Sequence, residues 1–293
     1  MDITFSYLFF VNFYLPLSYL NPATPKSDGW YVTISLVDES IPTNSIDIIP
    51  TADNSVALDL GLEKFAALDT GEFVDIPQHF RRSEKKLAKL QQKVATRKKG
   101  SRASSLLNRK IGRLHQRIAR QRKQFHFETA KRVLQLAPVL FVEDLAVKNM
   151  SKRCKQKQNE EGNYVANGQA RKSGLNKSIA DAGWAQFINI LSFKVRNALP
   201  RSCQNRIPAG SAAESAGGKV FKVNPKNTSQ VCSNCLNVVP KTLKERWHFC
   251  DQCNLSIARD TNSAILIKKV GLGVSLTIKR SRRNSREAHA VTS

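Results

Sequence analysis

The sequence predicts an α/β fold that carries an inserted basic helical hairpin and a zinc ribbon. Short apolar runs typical of strands alternate with longer helical patterns along the chain. One stretch, 81–123, contains seventeen Lys or Arg residues and a single acid, and two Cys-x-x-Cys pairs follow it later in the chain. With 293 residues, 41% of them hydrophobic, the chain can bury a large core and carry attachments.

The amino-terminal run 3–20 is uncharged, aromatic-rich and long enough for a membrane span or an uncleaved signal. Asn12 and Pro16 interrupt it, and Asp2 stands where a signal has positive charge. We therefore interpret it as a non-native or degenerate start, with a membrane-tethered basic protein as the alternative. The segment 28–39 then alternates like a strand with one buried face.

Three short strands are predicted next, at 56–60, 64–68 and 72–76. The turn residues at 69–72 favour an antiparallel meander. Asp59 lies inside the first strand, where a carboxylate is costly to bury unless it is paired or binds a metal.

The basic stretch predicts two helices folded back on each other, within 80–135. Apolar residues recur at helical spacing on both sides of the break at 97–105, and burying these seams leaves outer faces that are almost wholly cationic. Such a face binds phosphates, although a charge run can also be only a solvated surface. The candidate nucleic-acid contacts are Arg81, Arg82, Lys85, Lys86, Lys89, Arg109, Lys110, Arg113, Arg117 and Arg120.

The remaining elements are a buried strand at 139–142, a polar loop at 152–178, an amphipathic helix at 178–199, a strand from 219 and a helix from about 258. Glu143 ends the buried strand, where a Glu-Asp pair is equally consistent with an active site and with a cap for the next turn. Asp181 lies near the start of the amphipathic helix, and Asp260 lies in the first turn of the last one. The basic tail 273–293 is expected to be disordered.

Four cysteines form two Cys-x-x-Cys pairs, Cys232 with Cys235 and Cys250 with Cys253. Two such pairs can supply the tetrahedral set of four thiolates that binds Zn²⁺. With all four positions filled, the pattern indicates a structural site, because a catalytic zinc keeps one open position. Disulfides or metal-free thiols are the alternative.

Charge and cysteine use indicate the partner and the compartment. A formal net charge of +24 and a pI near 10.1 favour a polyanion, with nucleic acid as the default. Cys154 and Cys203 are isolated, so a disulfide framework is not indicated, and a reducing cytoplasmic location is expected.

The order of three acidic residues along the chain indicates a type of catalytic core. Asp59 in a first strand, Glu143 at the end of a later strand and Asp260 at the start of a late helix are the arrangement that an RNase H-like nuclease core needs. In such a core the carboxylates hold two Mg²⁺ ions about 4 Å apart, one activating a water and the other stabilising the leaving oxygen.

The chain resembles the TnpB family of transposon-encoded RNA-guided DNA endonucleases. Five motifs between about 28 and 271 carry the resemblance, in the order ALDLGLEKFAAL, LFVEDLAVKNM, LNKSIADAGWAQFINILSFK, AESAGGKVFKVNPKNTSQVCSNC and ARDTNSA. It implies that Asp59, Glu143 and Asp260 form a RuvC-like catalytic triad and that the zinc ribbon braces the segment delivering Asp260. It also implies a guide RNA encoded by the transposon, a DNA target and Mg²⁺-dependent phosphodiester hydrolysis, without a membrane.

The resemblance also implies a domain organisation. We expect a degenerate segment with a remnant of a β-barrel wedge at 1–53, a nuclease core at 54–225, a zinc ribbon at 226–256 and a last core helix at 257–272. The family's amino-terminal portion is longer, so the chain is expected to be truncated there. A catalytically inactive nucleic-acid-binding zinc-ribbon remnant is the alternative function.

Overall fold

The structure, a computed structural model, describes residues 2–3, 24–32, 34–35, 48–196, 218–224, 228–242 and 245–276. Of the predicted features, most of the apolar run 3–20, Cys203 and the tail beyond 276 lie outside the described residues. Within the described residues, no helix combines the length and apolarity needed to cross a membrane.

A five-stranded mixed sheet forms the centre of the fold. Its strands in chain order are β5 (Ser55–Leu60), β6 (Lys64–Leu68), β7 (Phe73–Asp75), β8 (Val139–Glu143) and β9 (Lys219–Val223). Within the sheet they lie in the order β7-β6-β5-β8-β9. The first three strands form the antiparallel meander that the turn residues predict. Strands β8 and β9 run parallel to β5, which gives a mixed sheet in agreement with the RNase H-like core expected from the sequence.

Six helices are described: α1 (His79–Ala95), α2 (Arg102–Leu136), α3 (Val147–Met150), α4 (Gln169–Ala182), α5 (Trp184–Arg196) and α6 (Arg259–Gly271). Helices α1 and α2 pack against each other as the predicted hairpin. Gly100 turns the chain between them with a φ of 80°, and the Ser101 side chain accepts a hydrogen bond from the Ser104 amide at 3.2 Å to cap α2.

The two faces of the sheet bury different sets of side chains. Leu58 of β5 and Leu140 of β8 belong to the larger apolar core, together with side chains from α2, α4 and α5. Ala57, Phe141 and their neighbours form a smaller core with Ile267 of α6. Successive strand residues point to opposite faces, so the residues next in that alternation, Asp59 and Glu143, face α6.

The helix predicted at 178–199 is wrong in its boundaries. Gly183 has a φ of 64° and separates α4 from α5, and α4 begins at Gln169, inside the predicted loop. Left-handed backbone ends a helix readily at glycine. Asp181 therefore does not open a helix. It lies near the end of α4 and caps α1, accepting hydrogen bonds from the Phe80 amide at 2.9 Å and the Arg81 amide at 3.3 Å.

Three two-stranded sheets are described in addition to the central sheet. They pair β1 (Asp2–Ile3) with β4 (Ile34–Ser35), β2 (Thr24–Lys26) with β3 (Gly29–Tyr31), and β10 (Trp247–Phe249) with β11 (Ser256–Ala258). The β2–β3 hairpin lies against α2, where Arg120 forms a 2.5 Å ion pair with Asp28. The β10–β11 hairpin carries the second cysteine pair and leads directly into α6.

Candidate functional site

Two of the predicted acids lie side by side in the central sheet. The parallel register of β5 and β8 pairs Leu58 with Val142, so the next residues, Asp59 and Glu143, are level with each other. Neighbouring strands are about 4.8 Å apart, and level residues point to the same face. Sheet pairing alone therefore places these two carboxyl groups next to each other under α6.

The third acid comes from the first turn of α6, the helix that packs across β5. Two nitrogens of the Arg259 guanidinium donate to Oδ1 of Asp260, Nε at 3.0 Å and Nη2 at 2.9 Å. The remaining terminal nitrogen, Nη1, donates to the Glu245 carbonyl at 3.0 Å. The arginine thus fixes the Asp260 carboxylate relative to the ribbon.

A cavity of about 300 Å³ lies between these elements. Its lining residues are Asp59, Glu143, Thr228, Ser229, Gln230, Lys241, Thr242, Arg259, Asp260 and Ser263. All three acids predicted from the sequence therefore line one cavity, although they come from two strands and a helix spread over two hundred residues of chain.

The electrostatics of the cavity disfavour the ionised forms of Asp59 and Glu143 in the absence of a cation. Burial raises the pKa of Asp59 well above its usual range, and the nearby charges of Glu143 and Asp260 raise it further. Burial also raises the pKa of Glu143, while a 3.2 Å hydrogen bond from the Thr228 hydroxyl acts in the opposite direction. Carboxylate oxygens are the ligands that Mg²⁺ prefers, so the chemistry of this lining fits a divalent cation, although among the described residues only the four cysteines bring their ligand atoms within 4.8 Å of one another.

The four predicted zinc ligands meet at a second location, next to the cavity. Their sulfur atoms all lie within 4.8 Å of one another. The Cys232–Cys253 and Cys235–Cys250 sulfurs are 3.6 and 3.5 Å apart, too far for disulfides and close to the roughly 3.8 Å edge of a tetrahedral zinc–thiolate site. The cluster could therefore bind a metal ion such as zinc.

Both cysteine pairs are held by the same local backbone geometry. The amide of Leu236 donates to the Cys232 carbonyl at 3.0 Å, and the amide of Asn254 donates to the Cys250 carbonyl at 2.8 Å. Leu236 and Asn254 follow the second cysteine of each pair, with φ values of 61° and 56°. Glycine is the residue best suited to this conformation, so the strained Leu236 indicates that the turn is fixed by the cluster.

The predicted nucleic-acid residues of the hairpin fall into two groups. Three have intramolecular partners: Arg81 bonds to the Gly174 carbonyl at 2.8 Å, Arg113 bonds to the Ser27 carbonyl at 3.2 Å, and Arg120 pairs with Asp28. The others are exposed, namely Arg82, Lys85, Lys86, Lys89, Arg109, Lys110 and Arg117.

The structure adds residues to the cavity that the sequence patterns did not single out. The sequence could have indicated Arg259 as a cavity residue, since it immediately precedes Asp260. No sequence pattern indicates Lys241 and Thr228, because their positions depend on how the ribbon folds over the sheet.

Comparisons with known proteins identify relatives of this chain. Residues 43–154 match the OrfB_IS605 family of probable transposases, and residues 210–267 match the Cas12f1-like TNB domain. The chain is 31% identical over 256 residues to the putative RNA-guided DNA endonuclease InsQ of Escherichia coli (strain K12), covering 87% of this chain and 57% of that protein. It is 27% identical over 253 residues to a putative RNA-guided DNA endonuclease of Streptomyces pristinaespiralis, covering 85% of this chain and 52% of that one.

The chain thus spans somewhat more than half the length of these two relatives. Among solved structures, a Cas12f1–sgRNA–target DNA complex aligns with a TM-score of 0.43 at 18% identity, over 85% of this chain and 56% of that one. A CRISPR–Cas12f ternary complex aligns with a TM-score of 0.44 at 16% identity, over 82% and 42% of the two chains.

Proposed function

Since the chain belongs to the TnpB family, we propose that it is a Mg²⁺-dependent DNA endonuclease directed by a guide RNA. The observation that carries the proposal is the convergence of Asp59, Glu143 and Asp260 on one cavity. Its curated relatives carry the same activity in their names, as putative RNA-guided DNA endonucleases.

The three acids would be the metal ligands and the catalytic groups. When bound, Mg²⁺ would supply an activated water and neutralise charge on the leaving oxygen. Asp59 and Glu143 offer carboxylates fixed by the sheet, and Arg259 holds the Asp260 carboxylate in place from the side of α6. Lys241 and Arg259 add positive charge to the cavity, which suits an anionic phosphodiester.

The cysteine cluster would hold one structural Zn²⁺. Four thiolates leave no open coordination position, so its proposed role is to fold the ribbon over the cavity. Burial raises the pKa of the Cys232 thiol to about 12 without metal, and coordination would favour its thiolate form.

The basic hairpin would bind the nucleic-acid backbone. Its seven exposed cations, the set from Arg82 to Arg117 given above, present positive charge along both helices, and phosphate contacts of this kind are independent of sequence. Base pairing with a guide RNA would then supply the sequence specificity.

The decisive experiment is DNA cleavage by purified protein at fixed salt with Mg²⁺, with and without co-expressed transposon RNA. Asp59→Ala removes a proposed ligand, and Asp53→Ala is the matched control, because Asp53 is an exposed acid outside the cavity. We expect Mg²⁺-dependent cutting that Asp59→Ala abolishes and Asp53→Ala preserves. Binding without cutting, unchanged by Asp59→Ala, would instead identify a nucleic-acid-binding protein without nuclease activity.

A further inference from the structure

Asn262 links the cysteine cluster to the helix that carries Asp260. It lies two residues after Asp260 in the first turn of α6 and is completely buried. Its side-chain oxygen accepts from the Ser233 amide at 2.8 Å, and its side-chain nitrogen donates to the Val231 carbonyl at 2.8 Å. A single amide therefore binds the peptide groups on both sides of Cys232.

A second contact of the same kind lies two turns along α6. The Lys269 ammonium donates to the Ser233 carbonyl at 2.6 Å. The preceding residue, Lys268, forms a 2.9 Å ion pair with Asp69, whose other carboxylate oxygen accepts from the Ala57 amide of β5. Helix α6 is thus held between the sheet and the first cysteine turn.

The same ribbon segment also reaches Glu143. Thr228 lies four residues before Cys232 and donates to Glu143 Oε1 at 3.2 Å. Residues 228–233 therefore contact the Glu143 carboxylate directly and the helix of Asp260 through Asn262, whereas the backbones of Asp59 and Glu143 are both placed by sheet pairing. The fold of residues 228–233 depends in turn on Cys232, whose amide donates to the Asn237 carbonyl at 2.8 Å within the cysteine turn.

We infer that Asn262 is a positioning residue that couples metal loading of the cysteine cluster to cation binding by the carboxylate cavity. The inference rests on the proposed function, because it takes the three acids as the Mg²⁺ ligands. A loaded cluster fixes the Cys232 turn, the turn fixes the start of α6 through Asn262, and Asp260 then stands where it completes the set with Asp59 and Glu143. Loss of zinc loosens two of the three ligands without unfolding the sheet.

Coupling between two binding sites is reciprocal, which gives a test that needs no cleavage. Zinc-loaded full-length protein is titrated with a chromogenic chelator, and the equilibrium affinity for zinc is measured by competition with and without saturating Mg²⁺. We expect Mg²⁺ to raise the zinc affinity of the wild type by about fivefold or more, a typical size for coupling between sites. Asp59→Asn should remove the effect and so locate it in the cavity.

Asn262→Ala is the critical variant, and Asn237→Ala is its matched control, because Asn237 lies in the same ribbon with an exposed side chain. We expect Asn262→Ala to bind one zinc with an affinity independent of Mg²⁺, and to need about tenfold more Mg²⁺ for cleavage, the scale of two lost buried hydrogen bonds. Asn237→Ala should behave as the wild type in all three measurements.

Two results would overturn the inference: a zinc affinity of the wild type that does not change with Mg²⁺, or an equal effect of Mg²⁺ on zinc affinity in the wild type and Asn262→Ala. Should Asn262→Ala fail to fold, Lys269→Met decides, since it removes the second contact and leaves the buried amide. A smaller Mg²⁺ effect in Lys269→Met supports the coupling, and an unchanged one refutes it. Coupling in a protein that does not cut DNA would refute the proposed nuclease activity and leave the link between the two sites intact.

Discussion

Neutralising Asp59 should stabilise the metal-free protein. Burial disfavours the Asp59 carboxylate, and the like charge of Glu143, level with it on the neighbouring strand, disfavours it further. Two like charges about 5 Å apart repel by about 3 kcal/mol at an effective dielectric constant of 20. Attraction to Arg259 offsets part of this repulsion. We therefore expect Asp59→Asn to raise the free energy of unfolding by about 2 kcal/mol at pH 8, and the melting temperature by about 4–8 °C.

The same stabilisation should depend on pH with a definite sign. The folded-state pKa of Asp59 and of Glu143 is raised, so the folded protein holds these protons more tightly than the unfolded chain. The stability of the wild type without metal should fall as pH rises from the ordinary carboxyl range through these raised values. The difference between Asp59→Asn and the wild type should accordingly be small at the acidic end and largest at pH 8.

Differential scanning calorimetry of zinc-loaded samples in Mg²⁺-free buffer measures both effects, and added Mg²⁺ provides the complementary readout. Mg²⁺ should raise the melting temperature of the wild type and have little effect on Asp59→Asn, since it relieves the repulsion that the variant lacks. Asp53→Asn is the control for the loss of an acid elsewhere. The electrostatic reasoning would be refuted if Asp59→Asn melted below the wild type without Mg²⁺, or if Asp53→Asn gave the same increase.

Three further predictions concern the ribbon, the hairpin and the α1 cap. Cys250→Ser should reduce bound zinc below one equivalent and lower the melting temperature, whereas Cys154→Ser should change neither; a colorimetric zinc assay and calorimetry would show this. Lys86→Ala should reduce the slope of log affinity for duplex DNA against log salt by about one, while Arg81→Ala, whose guanidinium bonds to α4, should leave that slope unchanged in fluorescence anisotropy. Asp181→Ala should cost about 1–2 kcal/mol in urea unfolding, because α1 loses its cap; a loss below about 0.3 kcal/mol would contradict that role.

Local sequence patterns were sufficient for the strands and for the candidate ligands. The strand predicted at 64–68 has those bounds in the structure, and the meander, the basic hairpin and the last helix are all present. Alternation and helical periodicity are properties of neighbouring residues, so they can be read without knowing the fold. The cysteine spacing is equally local, and all four thiols meet.

Contacts between residues that are distant in the chain could not be predicted from the sequence. Asp181 looked like the start of a helix but caps α1, one hundred residues earlier in the chain, and Gly183 breaks a periodicity that otherwise continues. Arg81, predicted as a phosphate contact, also donates to the Gly174 carbonyl of α4. Such tertiary hydrogen bonds join residues far apart in the chain, so local patterns do not predict them.

The sequence by itself determined which chemical groups this protein possesses: three acids on two strands and a helix, four cysteines in two pairs, and a strongly cationic hairpin. Only the tertiary structure decided that the three acids line one cavity, that Thr228 and Arg259 hold two of them, and that Asn262 ties the cysteine turn to the helix of Asp260. The physical reason is that composition and periodicity are fixed by covalent neighbours. A cavity is instead fixed by strand register and by hydrogen bonds between segments up to two hundred residues apart.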